Sequence, residues 1–307
     1  MKLYYTDQFV LPLPPGHRFP MAKYALLRER VREALIPPHE LVVPEPASDQ
    51  DLTRVHSPQY VAAVTRGTLS AADMRRIGFP WSEATVERAR RSVGATLAAS
   101  HAALDHGIAV NLAGGTHHAF PDHGMGFCVF NDIAVAVRAL QAERRVSRIA
   151  IIDTDVHQGD GTAFIFRSDP AVFTCSVHGQ SNFPFLKQRS DLDVALPDDT
   201  GDAEYLGAVE RGVEAAFRGG RPDLLYYLAG ADAHQQDRLG RLDVSMAALE
   251  ERDRIVIGRA AAERVPVVLV MGGGYGRRIE DTVAIHYASV ATAARFADAG
   301  AAEPTSR

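Results

Sequence analysis

Ile149-Ala150-Ile151-Ile152 runs without a break into Asp153-Thr154-Asp155-Val156-His157-Gln158-Gly159-Asp160-Gly161. A short apolar run ending in a polar cluster suits a strand buried on both faces, as in parallel sheets. In open α/β sheets, ligands bind at the edge where the strands end. Asp155 and His157, an oxygen and an imidazole donor two residues apart, suit a divalent metal such as zinc. The bland alternative is a polar loop with a capping Asp. Four ionisable groups at one strand end make it the weaker reading.

The same layout recurs along the chain. Strand-like runs cover residues 2–5, 41–43, 108–112, 149–153, 171–177, 224–229 and 266–271, and helix-like segments cover 21–35, 82–106, 132–144, 202–217, 245–263 and 283–297. Strands alternating with helices predict an α/β fold, a three-layer sandwich with a mostly parallel central sheet. Its site is expected at the C-terminal ends of the strands. The 307 residues, 46% of them hydrophobic, supply an ample core, and no linker or repeat divides them, so one domain over 1–307 is expected. Two stretches, 9–20 and 179–201, read as long irregular loops, which are often functional.

Composition removes several function classes. A net charge of −5 leaves no basic footprint for nucleic acid. No run approaches the ~20 apolar residues of a membrane span, and the first residues lack a signal peptide's features. The two cysteines, Cys128 and Cys175, form no CxxC pair. A reduced, cytoplasmic protein is the simplest expectation.

Other strand ends carry further chemistry. Asp232 follows the run 224–229. With Asp155 and His157 it makes a three-ligand set with an open position, the mark of a catalytic zinc. Taken alone, Asp232 is as well read as a turn residue. His117 and His118 follow Gly114-Gly115. They are a metal pair, or an acid and a base each held by a carboxylate, with Asp153 and Asp160 available. Tyr275 sits in Gly272-Gly273-Gly274-Tyr275-Gly276. A phenol there can donate to a carbonyl oxygen as charge develops. The alternatives, a turn or a phosphate loop, are weaker, since no GxGxxG order is present. Phe127 and Phe183 are either two walls of a slot or ordinary core residues. Asp132 reads as the N-cap of a helix, Ser57 as the cap of one starting at Pro58, and His56 as structural. His178 and His234 lie near strand ends and are candidates to line a pocket.

Taken together, these motifs resemble the histone deacetylase family of the arginase/deacetylase superfamily. The resemblance runs in order through Pro15-Gly16-His17, Val55-His56-Ser57-Pro58-Gln59-Tyr60, Gly114-Gly115-Thr116-His117-His118-Ala119, residues 126–132 and 153–161, Gly230-Ala231-Asp232 and Gly272-Gly273-Gly274-Tyr275. The class IV branch and its bacterial relatives are closest in flavour, through Asp155-Val156-His157-Gln158-Gly159 and Asn182-Phe183-Pro184-Phe185.

The resemblance implies the arginase/deacetylase fold and a zinc-dependent hydrolase that removes an acyl group from acyl-lysine or a small acylated amine. It implies one Zn2+ held by Asp155, His157 and Asp232. It pairs His117 with Asp153 and His118 with Asp160, and makes Tyr275 the carbonyl-polarising group. Phe127 and Phe183 would flank the acyl-lysine, with Gly126, Leu239 and Gly273 also contacting substrate. A structural K+ would be held around Asp153, Asp155, His157 and Ser176. Arg18 is the candidate for the arginine of the family's internal channel. Leu239 falls near a position that is acidic in polyamine-selective members, which argues against acetylpolyamine. The rivals are a dimanganese ureohydrolase on the same fold and a catalytically idle acyl-lysine reader. The first would need extra carboxylates beside Asp232, and the second would need loss of the metal ligands or Tyr275.

Overall fold

Apolar runs rich in Val, Ile and Leu form the strands, because β-branched side chains pack well on a pleated, buried surface. The computed structural model describes residues 1–302. Its strands are β1 (Lys2–Tyr4), β2 (Glu40–Val42), β3 (Ile108–Asn111), β4 (Ile149–Asp153), β5 (Val172–Gly179), β6 (Leu192–Leu196), β7 (Leu224–Ala229) and β8 (Val267–Met271). They make one sheet in the order β2-β1-β3-β8-β7-β4-β5-β6. Every registered pair is parallel, so the strands end along one edge.

The helices are α1 (Ala22–Leu35), α2 (Asp49–Leu52), α3 (Pro58–Arg66), α4 (Ala71–Ile77), α5 (Glu83–His106), α6 (Asp132–Ala142), α7 (Asp160–Phe166), α8 (Asp202–Arg218), α9 (Met246–Ala262) and α10 (Ile279–Ala302). Strand side chains alternate between the two faces of the sheet. Along β7, Leu225, Tyr227 and Ala229 join a core with Leu27 of α1, Val209 of α8, Ile257 of α9 and Val290 of α10. Leu224, Tyr226 and Leu228 join the opposite core, with Ala99 of α5, Ile133 of α6 and Phe166 of α7. These are the three expected layers. None of the described helices is long and apolar enough to cross a membrane.

Two expectations are corrected. The stretch 179–201 is not wholly irregular, since it contains β6. Leu192, Val194 and Leu196 of β6 face inward while Asp193 and Ala195 are exposed, the pattern of an edge strand. Its charges disguise a period of two. The cap of α6 is Asn131, which accepts from the Ala134 N–H, rather than Asp132. The reading at α3 holds, with Ser57 capping and Pro58 in the first turn.

Candidate metal and hydrolytic site

Register brings the polar strand ends together. Asp153 ends β4 between Ser176 of β5 and Leu228 of β7, and Ala229 of β7 lies beside Met271 of β8. The loops leaving β4, β7 and β8 therefore meet. They place one ligand atom each from Asp155, His157 and Asp232 within 4.8 Å of one another. His157 Nδ1 lies 2.8 Å from an Asp155 oxygen and 3.1 Å from an Asp232 oxygen. Backbone amides aim the carboxylates: the Val156 N–H donates to Asp232 and the Gly273 N–H to Asp155. Only glycine fits at 273, where a Cβ would stand 1.8 Å from Asp232 Oδ2.

Burial pushes the Asp232 carboxyl up, and the neighbouring Asp155 charge adds to this. Burial also opposes charge on His157, but hydrogen bonds to Asp155 and Asp232 prevail and raise its pKa. The cluster thus demands positive charge at its centre. Two carboxylates and an imidazole fit a zinc-like divalent cation.

The histidine pair is held as the resemblance implies. His117 Nδ1 lies 2.6 Å from Asp153 Oδ2, and His118 Nδ1 lies 2.6 Å from Asp160 Oδ1. Each carboxylate fixes the ring and leaves its Nε2 for proton exchange. Burial opposes charge on His117, yet Asp153 outweighs it and holds the imidazole at about 9. Burial and the charge on His117 push His118 down to about 4. A divalent cation held beside His117 would repel its charged form and lower it toward the neutral imidazole that a base needs. Asp132 orients the loop that carries these histidines, accepting from Thr116 N–H and hydroxyl and from the Gly115 N–H.

Tyr275, 8% exposed, points its ring toward His157, with ring centroids 6.5 Å apart. Burial, reinforced by Asp155 and Asp232, holds its phenol well above the usual range, so it stays a donor. A cavity of about 500 Å³ opens at the site, and Gly126, Phe127, Phe183, Leu239 and Tyr275 all line it, together with His118 and His157. Phe127 has φ 67°. That conformation is unfavourable for a bulky side chain. It is enforced by N–H bonds from Gly126 to Arg76 O and from Phe127 to Ile77 O.

Other expected residues take different places. His56 is structural: its Nδ1 meets Phe120 O, and its Nε2 accepts from the Asn131 N–H. Ser176 lies beside Asp153, and its hydroxyl is paired with His178 Nδ1 at 3.0 Å. Neither His178 nor His234 lines the large cavity. Arg18 is not internal. It lies at the mouth, with its guanidinium 5.1 Å from the Phe127 ring centre.

Two residues were not foreseen. Lys23, 2% exposed, lines a smaller cavity behind the triad, and its Nζ donates to Gly272 O and Gly274 O at 3.4 Å. Nothing in its helix marks it, because a lone lysine in α1 reads as a surface residue. Asp237 accepts from the N–H groups of Tyr275, Leu239 and Gly240 at 2.6, 2.8 and 3.0 Å. Its bonds to residues two and three ahead form an Asx turn, a signal the sequence does carry.

Comparison with known proteins gives the family and the fold. The profile described as "Histone deacetylase domain" matches residues 17–290. An uncharacterised protein of Picosynechococcus sp. is 46% identical, covering 92% of this chain and 94% of its own length. Histone deacetylase 2 of Arabidopsis thaliana is 31% identical, covering 84% of this chain and 70% of its own. The solved HD domain of HDA15 shares the fold at a TM-score of 0.81, with 22% identity over 95% of this chain and 90% of that one. With its strand-end site assembled on an all-parallel sheet, the chain belongs to the histone deacetylase family of hydrolases.

Proposed function

We propose that the protein is a zinc-dependent amidohydrolase that removes an acyl group from acyl-lysine or a similar acylated amine. The observation that carries this reading is that His118, His157 and Tyr275 line one cavity and are joined there to the Asp155–His157–Asp232 triad and to two His–Asp pairs. One sheet with helices on both faces supports reading the chain as one catalytic domain. Two free, buried cysteines support a reduced compartment such as the cytoplasm.

Asp155, His157 and Asp232 would hold the zinc, which would supply Lewis acidity toward the acyl carbonyl and water. The chain's own groups do the rest. Phe127 and Phe183 would flank an extended aliphatic arm, with its acyl end beside His118 and His157, a reading supported by all four lining the same cavity. His117, fixed by Asp153, takes the proton of the attacking water at Nε2. Tyr275 donates to the carbonyl oxygen as negative charge develops. The proton held by His117 then passes to the departing amine, while His118, kept neutral by burial and fixed by Asp160, offers its Nε2 as acceptor to the amine N–H.

The test is acyl release from lysine peptides carrying acetyl or long-chain acyl groups. Chelator should abolish it, and Tyr275→Phe should lower kcat by roughly 10²–10³, the usual size for one oxyanion donor. Near-native kcat in that variant removes Tyr275 from the role. A metal content near one per chain is expected, and two per chain would favour the ureohydrolase reading instead.

A further inference from the structure

The mouth of the large cavity is built from cations. Arg18, Arg75, Arg76 and Arg241 line it, and no Asp or Glu is among its lining residues. The chain as a whole carries 38 acidic against 33 basic side chains, so this surface runs against the molecule's own bias. Arg76 and Arg241 each meet one carboxylate outside the cavity, Asp73 at 3.2 Å and Asp198 at 3.1 Å. Arg18 and Arg75 have no ion pair among the described residues.

These arginines are tied to the walls of the site. Arg18 stacks over Phe127. Arg76 abuts Gly126, whose N–H its carbonyl accepts. Arg241 follows Gly240, which Asp237 anchors to the Tyr275 loop. A substrate arm lying between Phe127 and Phe183 therefore leaves its non-acyl end among guanidinium groups. A cleft lined by one sign of charge concentrates ligands of the other sign. Guanidinium forks also suit carboxylates geometrically. The same field disfavours a cationic neighbourhood around the amide, and it pushes out the ammonium that hydrolysis leaves.

We propose that this mouth selects acylated amines that carry carboxylates beside the scissile amide. Two sources share that chemistry: an acyl-lysine flanked by Asp or Glu in a peptide, and a free acylated amino acid with its own carboxylate. The proposal rests on the amidohydrolase reading and names the substrate class of the same site.

The experiment compares three matched acetyl-lysine peptides with Glu, Gln or Lys on both sides, together with free Nε-acetyl-lysine and its uncharged amide. Both kcat/KM and binding by titration are measured on the zinc-loaded protein, at ~50 mM and ~500 mM salt. The expected order is Glu above Gln above Lys, with on the order of tenfold between the extremes at low salt and a marked narrowing at high salt. An Arg18→Glu/Arg75→Glu double variant should invert the order. Wild-type salt dependence tests the same point without any substitution. If free acetyl-lysine outruns its amide by more than the Glu peptide outruns the Gln peptide, the source is the small molecule. The reverse assigns it to peptides. Equal turnover and equal binding of the three peptides overturn the proposal while leaving the hydrolase intact. Glu-selective binding without turnover of any amide keeps the charged mouth and overturns the hydrolase.

Discussion

At the scale of single residues, environment decides what a side chain does. His56 and His117 are both buried imidazoles, yet one holds the fold and the other meets a carboxylate. Burial pushes His56 down to about 4. Its neutral form is needed, because Nε2 must accept the Asn131 N–H. An unfolded chain binds that proton below ~6.5. The stability that neutral His56 contributes is therefore present above pH ~6.5 and lost as pH falls toward 4. The whole effect is about 3 kcal/mol. Chemical denaturation at pH 7 and pH 4.5 should show a smaller acid loss in His56→Gln, which cannot charge, than in the wild type. An equal loss in both would deny His56 this role. Its structural character was legible from the Ser-Pro helix start beside it. Lys23 was not legible, since its burial depends on the Gly272 and Gly274 carbonyls some 250 residues away, at sequence separations of 249 and 251.

Between elements, the loops after β7 and β8 act as one piece because Asp237 ties them. Removing its carboxylate leaves buried N–H groups without partners, at ~1–3 kcal/mol each. Asp237→Ala should lower the thermal midpoint and cut kcat by at least tenfold, through misplacement of Tyr275. Asp237→Asn retains one acceptor oxygen and should recover part of both. Unchanged kcat in Asp237→Ala would show that the β8 loop holds Tyr275 unaided. The same scale shows where pattern reading stops. β4, β7 and α5 announce themselves through uninterrupted or periodic apolar residues. β6 hides, because Asp193 sits in its exposed register and Asp191 stands just ahead of it. The short α2, α4 and α7 present too few residues for a helical period to emerge.

For the whole molecule, alternating strands and helices foretold the layers and the edge that bears the site. The strand order was not legible, since pairing β3 with β8 joins segments more than 150 residues apart, as Ile108↔Val267 shows. Crowded acids at that edge predict a response to metal removal. Asp155 and Asp232 repel one another until a cation joins them, so ion binding adds to folding stability. At a thousandfold excess over Kd the gain is about 4 kcal/mol. For a chain of this size that corresponds to on the order of 6 °C in Tm. Scanning calorimetry with and without chelator should show that shift, and Asp232→Ala should abolish it. An unchanged midpoint on chelation would contradict the ligand set. The all-parallel sheet has one more consequence, for how such a protein can change over generations. Its recognition loops and its supporting turns lie at opposite ends of every strand. Substitutions that retune what enters the mouth and substitutions that steady the frame therefore accumulate at separate places, and selection can act on one without undoing the other.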